Sequence, residues 1–375
     1  MLKGDIINGY RITEDFKIAG GTSKVSFAEK GGEVYFIKEF LSPKYPTPDS
    51  PGSEETKERK RKDCNEFETH HKELNECIGK ICGGIGGSLV YALDFFRCGT
   101  SYYKVTEKID VSSVSCKDIS NLPLENIFLI ARSATKSIKI LHNSGIVHGD
   151  LKPDNLLIQK GKIKDAYIAK LIDFDDSYFE CKPPSDHDSL VGTPEYYSPE
   201  QAEYIIDEED EVSGETLTCK SDIFTLGIIF CEYFTGEKPK LPEGYKNTWS
   251  AVRDAKEIGF GEKLKSNPKR EEIEKLIGSM LSLAPSKRPD IGEIYSELEA
   301  IEKGKKDHPI PPITDGDERK DTGKGGTTLR GKLIKGMGEK VAETPATIIK
   351  SPRKEEKVAG GLRGLGLNIA SGIKE

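Results

Sequence analysis

No apolar run in this 375-residue chain approaches the roughly 18 residues needed to cross a bilayer, so no membrane-spanning helix is expected. The opening MLKGDIINGYRI lacks the apolar core of a signal peptide, and a cytoplasmic protein without membrane contact is the expectation. The eight cysteines form no CxxC pair and no His/Cys cluster, which argues against structural zinc and suits free thiols in a reducing compartment. The only paired histidines, His70 and His71, lie in a charged helical stretch and read as surface or packing residues. A basic excess is missing too: the net charge of −7 gives no reason to expect a nucleic-acid partner. Hydrophobic content is low at 35% and charged content high at 32%, so part of the length is expected to stay outside any folded core. The remainder is long enough for two lobes.

What is present is ordered along the chain. "YRITEDFKIAGG", "KVSFAEK", "EVYFIKEFL", "LVYALDFF" and "SYYKVTEKI" combine β-branched and aromatic residues with glycine-bearing turns and read as strands. One helix interrupts them from Cys64, with Phe67, His71, Leu74 and Ile78 at helical spacing. Before it, "SPKYPTPDSPGSEETKERKRK" is proline-rich and then densely charged, and reads as a mobile insertion. From about residue 123 the period is helical. "LENIFLIARSATKSIKILHNSG" puts Ile127, Ile130, Ala131, Ala134, Ile138 and Leu141 on one stripe and ends at Gly145 as a C-cap. "SDIFTLGIIFCEYFTG" is apolar nearly all round and predicts a buried helix opening on Ser221 as N-cap, and "REEIEKLIGSMLSL" and "DIGEIYSELEAIEKG" predict two amphipathic helices. Strands followed by helices indicate an α+β fold with a cleft between its two parts. Beyond residue 304 periodicity disappears and glycine, proline and basic residues dominate, so the tail is expected to be disordered; Leu362, Leu365, Leu367 and Ile369 leave room for a short docking segment.

The chemistry concentrates in "VHGDLKPDNLLI", residues 147–158, where Asp150, Lys152, Asp154 and Asn155 stand between two apolar runs that read as strands. "LIDFDD" at 171–176 supplies a further carboxylate directly after another apolar strand. Moving a γ-phosphoryl group needs such parts: carboxylate and amide oxygens for Mg²⁺, a placed lysine, and a carboxylate to accept the proton of the incoming hydroxyl.

These residues resemble the motifs of eukaryotic-type (Hanks-type) serine/threonine protein kinases. His148-Gly149-Asp150-Leu151-Lys152-Pro153-Asp154-Asn155 is similar to the catalytic loop, Asp173-Phe174-Asp175 to the metal-binding Asp-Phe-Gly, and Gly192-Thr193-Pro194 with Ser198-Pro199-Glu200 to the end of the activation segment. Lys38 occupies the place of the family's strand lysine. The resemblance covers residues 5 to about 303 and implies a bilobal fold: an antiparallel-sheet N-lobe with one helix over about 1–107, and a mostly helical C-lobe over about 110–303, followed by the tail at 304–375. It implies ATP and Mg as cofactors, with Asp150 as catalytic base and Lys152 stabilising charge on the moving phosphoryl. Asn155 and Asp173 would hold the metal, while Lys38, Gly20, Gly21 and Val25 would hold the nucleotide, with Glu107 and Ile109 binding adenine through their backbone beside a small Thr106. By the same resemblance, Asp222 braces the catalytic loop, Thr193 bonds it, and Glu200 with Arg288 forms a buried ion pair.

Four departures accompany the match. The phosphate-covering loop reads Ile18-Ala19-Gly20-Gly21-Thr22-Ser23-Lys24-Val25, in which only the middle glycine is matched directly. Gly149 replaces the arginine before the catalytic aspartate, which implies activity independent of activation-loop phosphorylation. Asp175 replaces the glycine of Asp-Phe-Gly, with either restricted backbone motion or disturbed metal placement as the consequence. The helix glutamate that should pair with Lys38 is to be sought among Glu66, Glu68 and Glu73, with Glu66 preferred; setting Leu74 at the family's apolar position would instead put His70 there.

Three functions compete: transfer of phosphate to protein Ser/Thr hydroxyls, including the protein's own; a pseudokinase scaffold that recruits partners through its tail; and a small-molecule phosphotransferase. Lys152 and the Gly-Thr-Pro…Ser-Pro-Glu segment favour the first over the third. Thr327, Thr328, Thr344, Thr347 and Ser351 are candidate sites of autophosphorylation.

Overall fold

The computed structural model describes residues 2–19, 21–82, 87–109, 113–161, 166–180, 182–184, 190, 192–206 and 212–304, all within one unit, Met1–His308. The expectations for the tail, and for Gly20, lie outside the described residues.

Alternating apolar residues and glycine turns produce the strands β1 (Ile6–Ile7), β2 (Tyr10–Ile12), β3 (Lys17–Ala19), β4 (Ser23–Lys30) and β5 (Glu33–Phe40), then β6 (Ala92–Cys98) and β7 (Ser101–Glu107) after the helix. They form an antiparallel sheet in the order β1-β2-β4-β5-β7-β6, with β3 also on β4. β5 is central, and its register sets Lys38 opposite Val25 on one side and Lys104 on the other.

The helix between β5 and β6, α1, runs from Glu54 to Ile81. The charged half of the expected insertion is therefore helical. Ser53 caps it by accepting from the Thr56 amide, and Glu54–Lys57 and Glu58–Arg61 pairs one turn apart line its first turns. Lys57, nearly buried, donates to the Pro48 carbonyl at 2.6 Å and ties the helix start to the proline-rich loop. A run of like residues suggested a solvated loop, but one capping serine and paired charges carry the helix through it.

α1 packs on the sheet through Cys64 and Phe67 against Phe40, Phe95 and Tyr102. His71 is buried in the same layer, its ring 4.2 Å from Phe67, 5.0 Å from Phe95 and 5.3 Å from Phe40. Burial first, then the charges of Lys104, His70 and Lys38, hold its pKa well below the usual 6.5, against a weaker opposing pull from Asp173. Below pH 6.5 the unfolded chain binds a proton at this residue and the native chain does not, so its contribution is complete above that pH and is lost as pH falls through it. Urea titrations should show wild type losing up to about 1.4 kcal/mol more per pH unit below 6.5 than a His71→Leu variant.

The second half is helical around a larger core. It contains α2 (Cys116–Ile119), α3 (Leu124–His142), the short strands β8 (Ile146–Val147), β9 (Leu156–Lys160), β10 (Tyr167–Leu171) and β11 (Tyr178–Phe179), then α4 (Pro199–Ile206), α5 (Cys219–Thr235), α6 (Thr248–Arg253), α7 (Glu262–Lys265), α8 (Arg270–Met280) and α9 (Ile291–Lys303). The α3 stripe is buried as its spacing predicts, but the helix stops at His142; Gly145, at φ 65°, makes the turn into β8 instead of capping. α5 is capped by Thr218 and not by Ser221, whose hydroxyl lies inside the first turn and donates to Glu200. Asp290 and Glu293 form a reciprocal capping box at the start of α9. None of the described helices is long and apolar enough to cross a membrane.

Candidate active site

Two small ribbons aim the polar loops. β9 pairs with β10 so that Leu156 faces Leu171, and the Ile172 amide donates to the Asn155 carbonyl at 2.9 Å. Asn155 and Asp173 therefore leave the same end of one ribbon. β8 pairs with β11, Val147 opposite Tyr178, which brings Asp150 to the segment that follows Asp173. Two apolar strands flanking a polar strip, as read from the sequence, are what produces this convergence.

The loop between β8 and β9 is held from beneath. Buried Asp222 in α5 accepts from the His148 amide at 2.8 Å and the Gly149 amide at 3.3 Å, and from His142 Nε2 at 2.8 Å. Gln201 donates to the Gly149 carbonyl at 2.7 Å and Ser177 to the His148 carbonyl at 2.8 Å. With its backbone satisfied in this way, the loop can offer side chains to the cleft without leaving buried polar groups unpaired. Gly149 has φ +82°, and a β-carbon there would stand 2.2 Å from the Asp176 carbonyl oxygen. The arginine expected at this position is thus excluded by the backbone itself, since any side chain would be both strained and overlapping.

Asp150 is the hub of the loop. Its Oδ2 accepts from Lys152 Nζ at 2.6 Å and from Asn155 Nδ2 at 3.1 Å, and its Oδ1 accepts from the Thr193 hydroxyl at 3.1 Å. Lys152 also reaches Thr193 Oγ1 at 2.9 Å, and Asn155 Nδ2 the Asp150 carbonyl at 2.8 Å. Asp154 is exposed. Asp173 adopts φ 59°, a costly backbone state for a residue with a β-carbon, and is pinned by Phe174, which is buried in the core against His148.

Above these loops lies a cleft of about 2030 Å³, lined from the sheet by Gly21, Val25, Lys38, Glu107 and Ile109 and from below by Asp150, Lys152 and Asp173. Asn155 is buried behind them. β3 and β4 form the cleft's roof, a tight hairpin in which Ala19 pairs with Ser23 and Gly21 takes φ +78°. Ser23 is buried, its hydroxyl donating to the Ala19 carbonyl.

Lys38 does not pair with α1. Glu66, the preferred partner, is exposed and lies 3.7 Å from Lys62; Glu68 is taken by Lys72, and Glu73 is exposed. His70 faces inward instead, its Nε2 2.9 Å from the Ser177 carbonyl oxygen. Lys38 Nζ meets Asp173 Oδ1 and Oδ2 at 3.1 and 3.0 Å and forms a close ion pair with Asp175 Oδ2 at 2.6 Å. A second lysine, Lys104, donates to Asp173 Oδ1 at 3.0 Å and to Asp175 Oδ1. Burial lowers the pKa of Lys38, but Asp175 and Asp173 outweigh it and hold the ammonium well above the usual range. Burial raises that of Asp173, and Lys104 and Lys38 outweigh it in the other direction. Asp176, next in the chain, is pushed up to about 7 by burial and by the charges of Asp175, Asp150 and Asp173.

Sequence pattern places Lys104 in a strand and does not mark it as a site residue. A lysine in the middle of "SYYKVTE", with apolar or aromatic neighbours on both sides, is out of place on a central strand, and that was the available signal.

The family model for the protein kinase domain matches residues 58–298. Among curated relatives, mitogen-activated protein kinase kinase 1 of Arabidopsis thaliana is 31% identical over 165 residues, covering 41% of this chain and 42% of that protein. Serine/threonine-protein kinase PknB of Mycolicibacterium smegmatis is 34% identical over 146 residues, covering 36% and 20%. Serine/threonine-protein kinase A of Synechocystis is 29% identical over 212 residues, covering 52% and 36%. The aligned regions thus span less than half the length of each of these relatives. The family match begins inside α1 and leaves out the strand bearing Lys38, but it runs through both ribbons, the braced loop and α5 to α9. With an antiparallel sheet on one side of the cleft and a helical half on the other, this chain belongs to the protein kinase family.

Proposed function

We propose that the protein is an ATP- and Mg-dependent serine/threonine protein kinase, with residues 1–303 as its catalytic unit. The observation that carries this reading is the Asp150 carboxylate, bonded by Lys152 and Thr193 and lining the same cleft as Lys38 and Asp173. The relatives' names as serine/threonine kinases support the choice of acceptor.

Among the described residues no group of three or more His, Cys, Asp or Glu side chains is arranged to hold a metal alone. One carboxylate and one amide, Asp173 and Asn155, fit an ion such as Mg²⁺ that keeps water and phosphate ligands, and Mg²⁺ there would neutralise phosphate charge. Asp150 orients the Ser or Thr hydroxyl of a protein substrate and accepts its proton as that oxygen bonds the γ-phosphorus. The bond from the γ-phosphorus to the bridging oxygen breaks, and ADP leaves with that electron pair. Lys152, 2.6 Å from the base, offsets charge on the moving phosphoryl, while Lys38 holds the α- and β-phosphates. Gly21 and Val25 cover the phosphates, and the backbones of Glu107 and Ile109 hold adenine. A reducing, cytoplasmic setting is consistent with the free thiols of Cys64, Cys77, Cys82, Cys98, Cys116 and Cys231.

A nucleotide-dependent scaffold without catalysis is the competing reading. On its side are the ion pairs that Lys38 and Lys104 make with Asp173, which a metal-bound nucleotide must open. Incubation with γ-labelled ATP and Mg²⁺ decides between them. Label on the protein or on a generic basic protein is expected, at the same rate after phosphatase treatment because Gly149 offers no arginine to a phosphorylated loop. No transfer to any protein would overturn the proposal.

A further inference from the structure

Lys38 is anchored from the wrong side for a member of this family. Among the described residues its carboxylate partners lie on the segment after β10, while on α1 Glu66 faces Lys62, Glu68 faces Lys72 and His70 bonds the Ser177 carbonyl. Of the two partners, Asp173 has another task in the kinase reading, on which this inference rests: it holds the metal. A carboxylate drawn to a divalent ion is poorly able to keep a bidentate grip on an ammonium. Asp175 has no such task.

Asp175 is also the better placed of the two. Its side chain is more buried than that of Asp173, 12% against 36% exposed, and its oxygens are divided, Oδ1 to Lys104 and Oδ2 to Lys38. Lys38 and Lys104 are direct cross-strand neighbours on β5 and β7, so their ammonium groups would repel without a carboxylate between them. Lys104 fixes Asp175 Oδ1 and thereby turns Oδ2 towards Lys38. Among the described residues, Asp175 Oδ2 has its ion pair with Lys38 and no aligned hydrogen-bond donor besides.

We propose that Asp175, oriented by Lys104, is the positioning residue for Lys38 and takes the place of the absent helix glutamate. The substitution of the third residue of Asp-Phe-Gly and the missing acidic residue on α1 are then one change: the carboxylate has moved from helix to loop. Displacing α1 would leave the partner of Lys38 in position, because that partner shares a backbone segment with Asp173.

The test is a double-mutant cycle on MgATP affinity, measured by titration calorimetry on the full chain. Asp175→Asn should weaken binding about tenfold in the wild-type background and less than twofold in a Lys38→Met background, the non-additivity of a contacting pair. A purely structural role for Asp175 would cost the same factor in both. The triple variant Glu66→Gln, Glu68→Gln, Glu73→Gln should bind as wild type does. Equal losses in the two backgrounds, no loss in either, or a loss in the triple variant would each overturn the proposal. Thermal melting checks that Asp175→Asn folds; if it does not, Lys104→Met carries the same cycle with the same outcomes. Wild-type protein that binds MgATP and transfers phosphate while Asp175→Asn is silent sinks this inference alone. Wild-type protein that does neither sinks the kinase reading with it.

Discussion

Asp150→Asn should leave the chain folded and able to bind nucleotide while lowering phosphoryl transfer by about 10³-fold, the scale of a lost general base. The expectation follows from the hydrogen bonds around that side chain. Three donors converge on the Asp150 carboxylate: Lys152 and Asn155 on Oδ2, and the Thr193 hydroxyl on Oδ1. An asparagine oxygen can keep the first two. Its amide nitrogen would face Thr193, whose hydroxyl can turn round and accept, so no buried group is stranded. The variant loses the negative charge and the capacity to take a proton, and little else. Single-turnover transfer measured beside MgATP binding and a melting curve separates the cases. Unchanged binding with transfer reduced about 10³-fold is the expected result, and transfer within tenfold of wild type would remove Asp150 from the role of base.

The legibility of this site in the sequence was uneven, and the reasons are physical. Asp150, Lys152 and Asn155 are contiguous in one loop, and Asp173 follows an apolar strand, so short-range pattern was sufficient to find them. The brace at Asp222 was reachable through the family resemblance, but His142, which also bonds Asp222 and lies at the end of α3, was not singled out. What pattern could not supply was the pairing of Lys38. The family resemblance calls for a glutamate on α1, with Glu66, Glu68 and Glu73 as candidates, but it cannot say which face of a 28-residue helix looks at the cleft. Packing decided it: His71, Leu74 and Ile78 take the buried face and carry His70 inward with them, leaving Glu66 to solvent. Asp175 was noticed as a departure without its partners, because Lys38 and Lys104 reach it only once the sheet has closed over the loop. The start of α1 departs from its pattern for the opposite reason: proline and charge density suggest a loop, whereas a single cap and close charge pairs favour a helix.

The largest loss of stability should come from Arg288, well away from the cleft. Its guanidinium is fully buried, and every N–H is used: Nη1 and Nη2 donate to the two oxygens of Glu200 at 2.6 and 2.8 Å, and the remaining donors meet the carbonyls of Ser282, Lys220 and Leu283 at 2.8, 2.8 and 2.9 Å. Its ring-like plane also lies 5.0 Å from Phe224. Glu200 is buried as well and has one further donor, the Ser221 hydroxyl at 2.7 Å. Arg288→Met fills much of the volume but strands a buried carboxylate and three carbonyls, and should cost about 3–5 kcal/mol in urea unfolding. Removing both charges with Glu200→Gln and Arg288→Met should cost less than Arg288→Met alone, because no charge is then left unpaired in the interior. A double variant less stable than the single one would mean that Glu200 stabilises α4 independently of the arginine. A cost below about 1 kcal/mol for Arg288→Met would mean that water reaches the pair, as it does for exposed ion pairs.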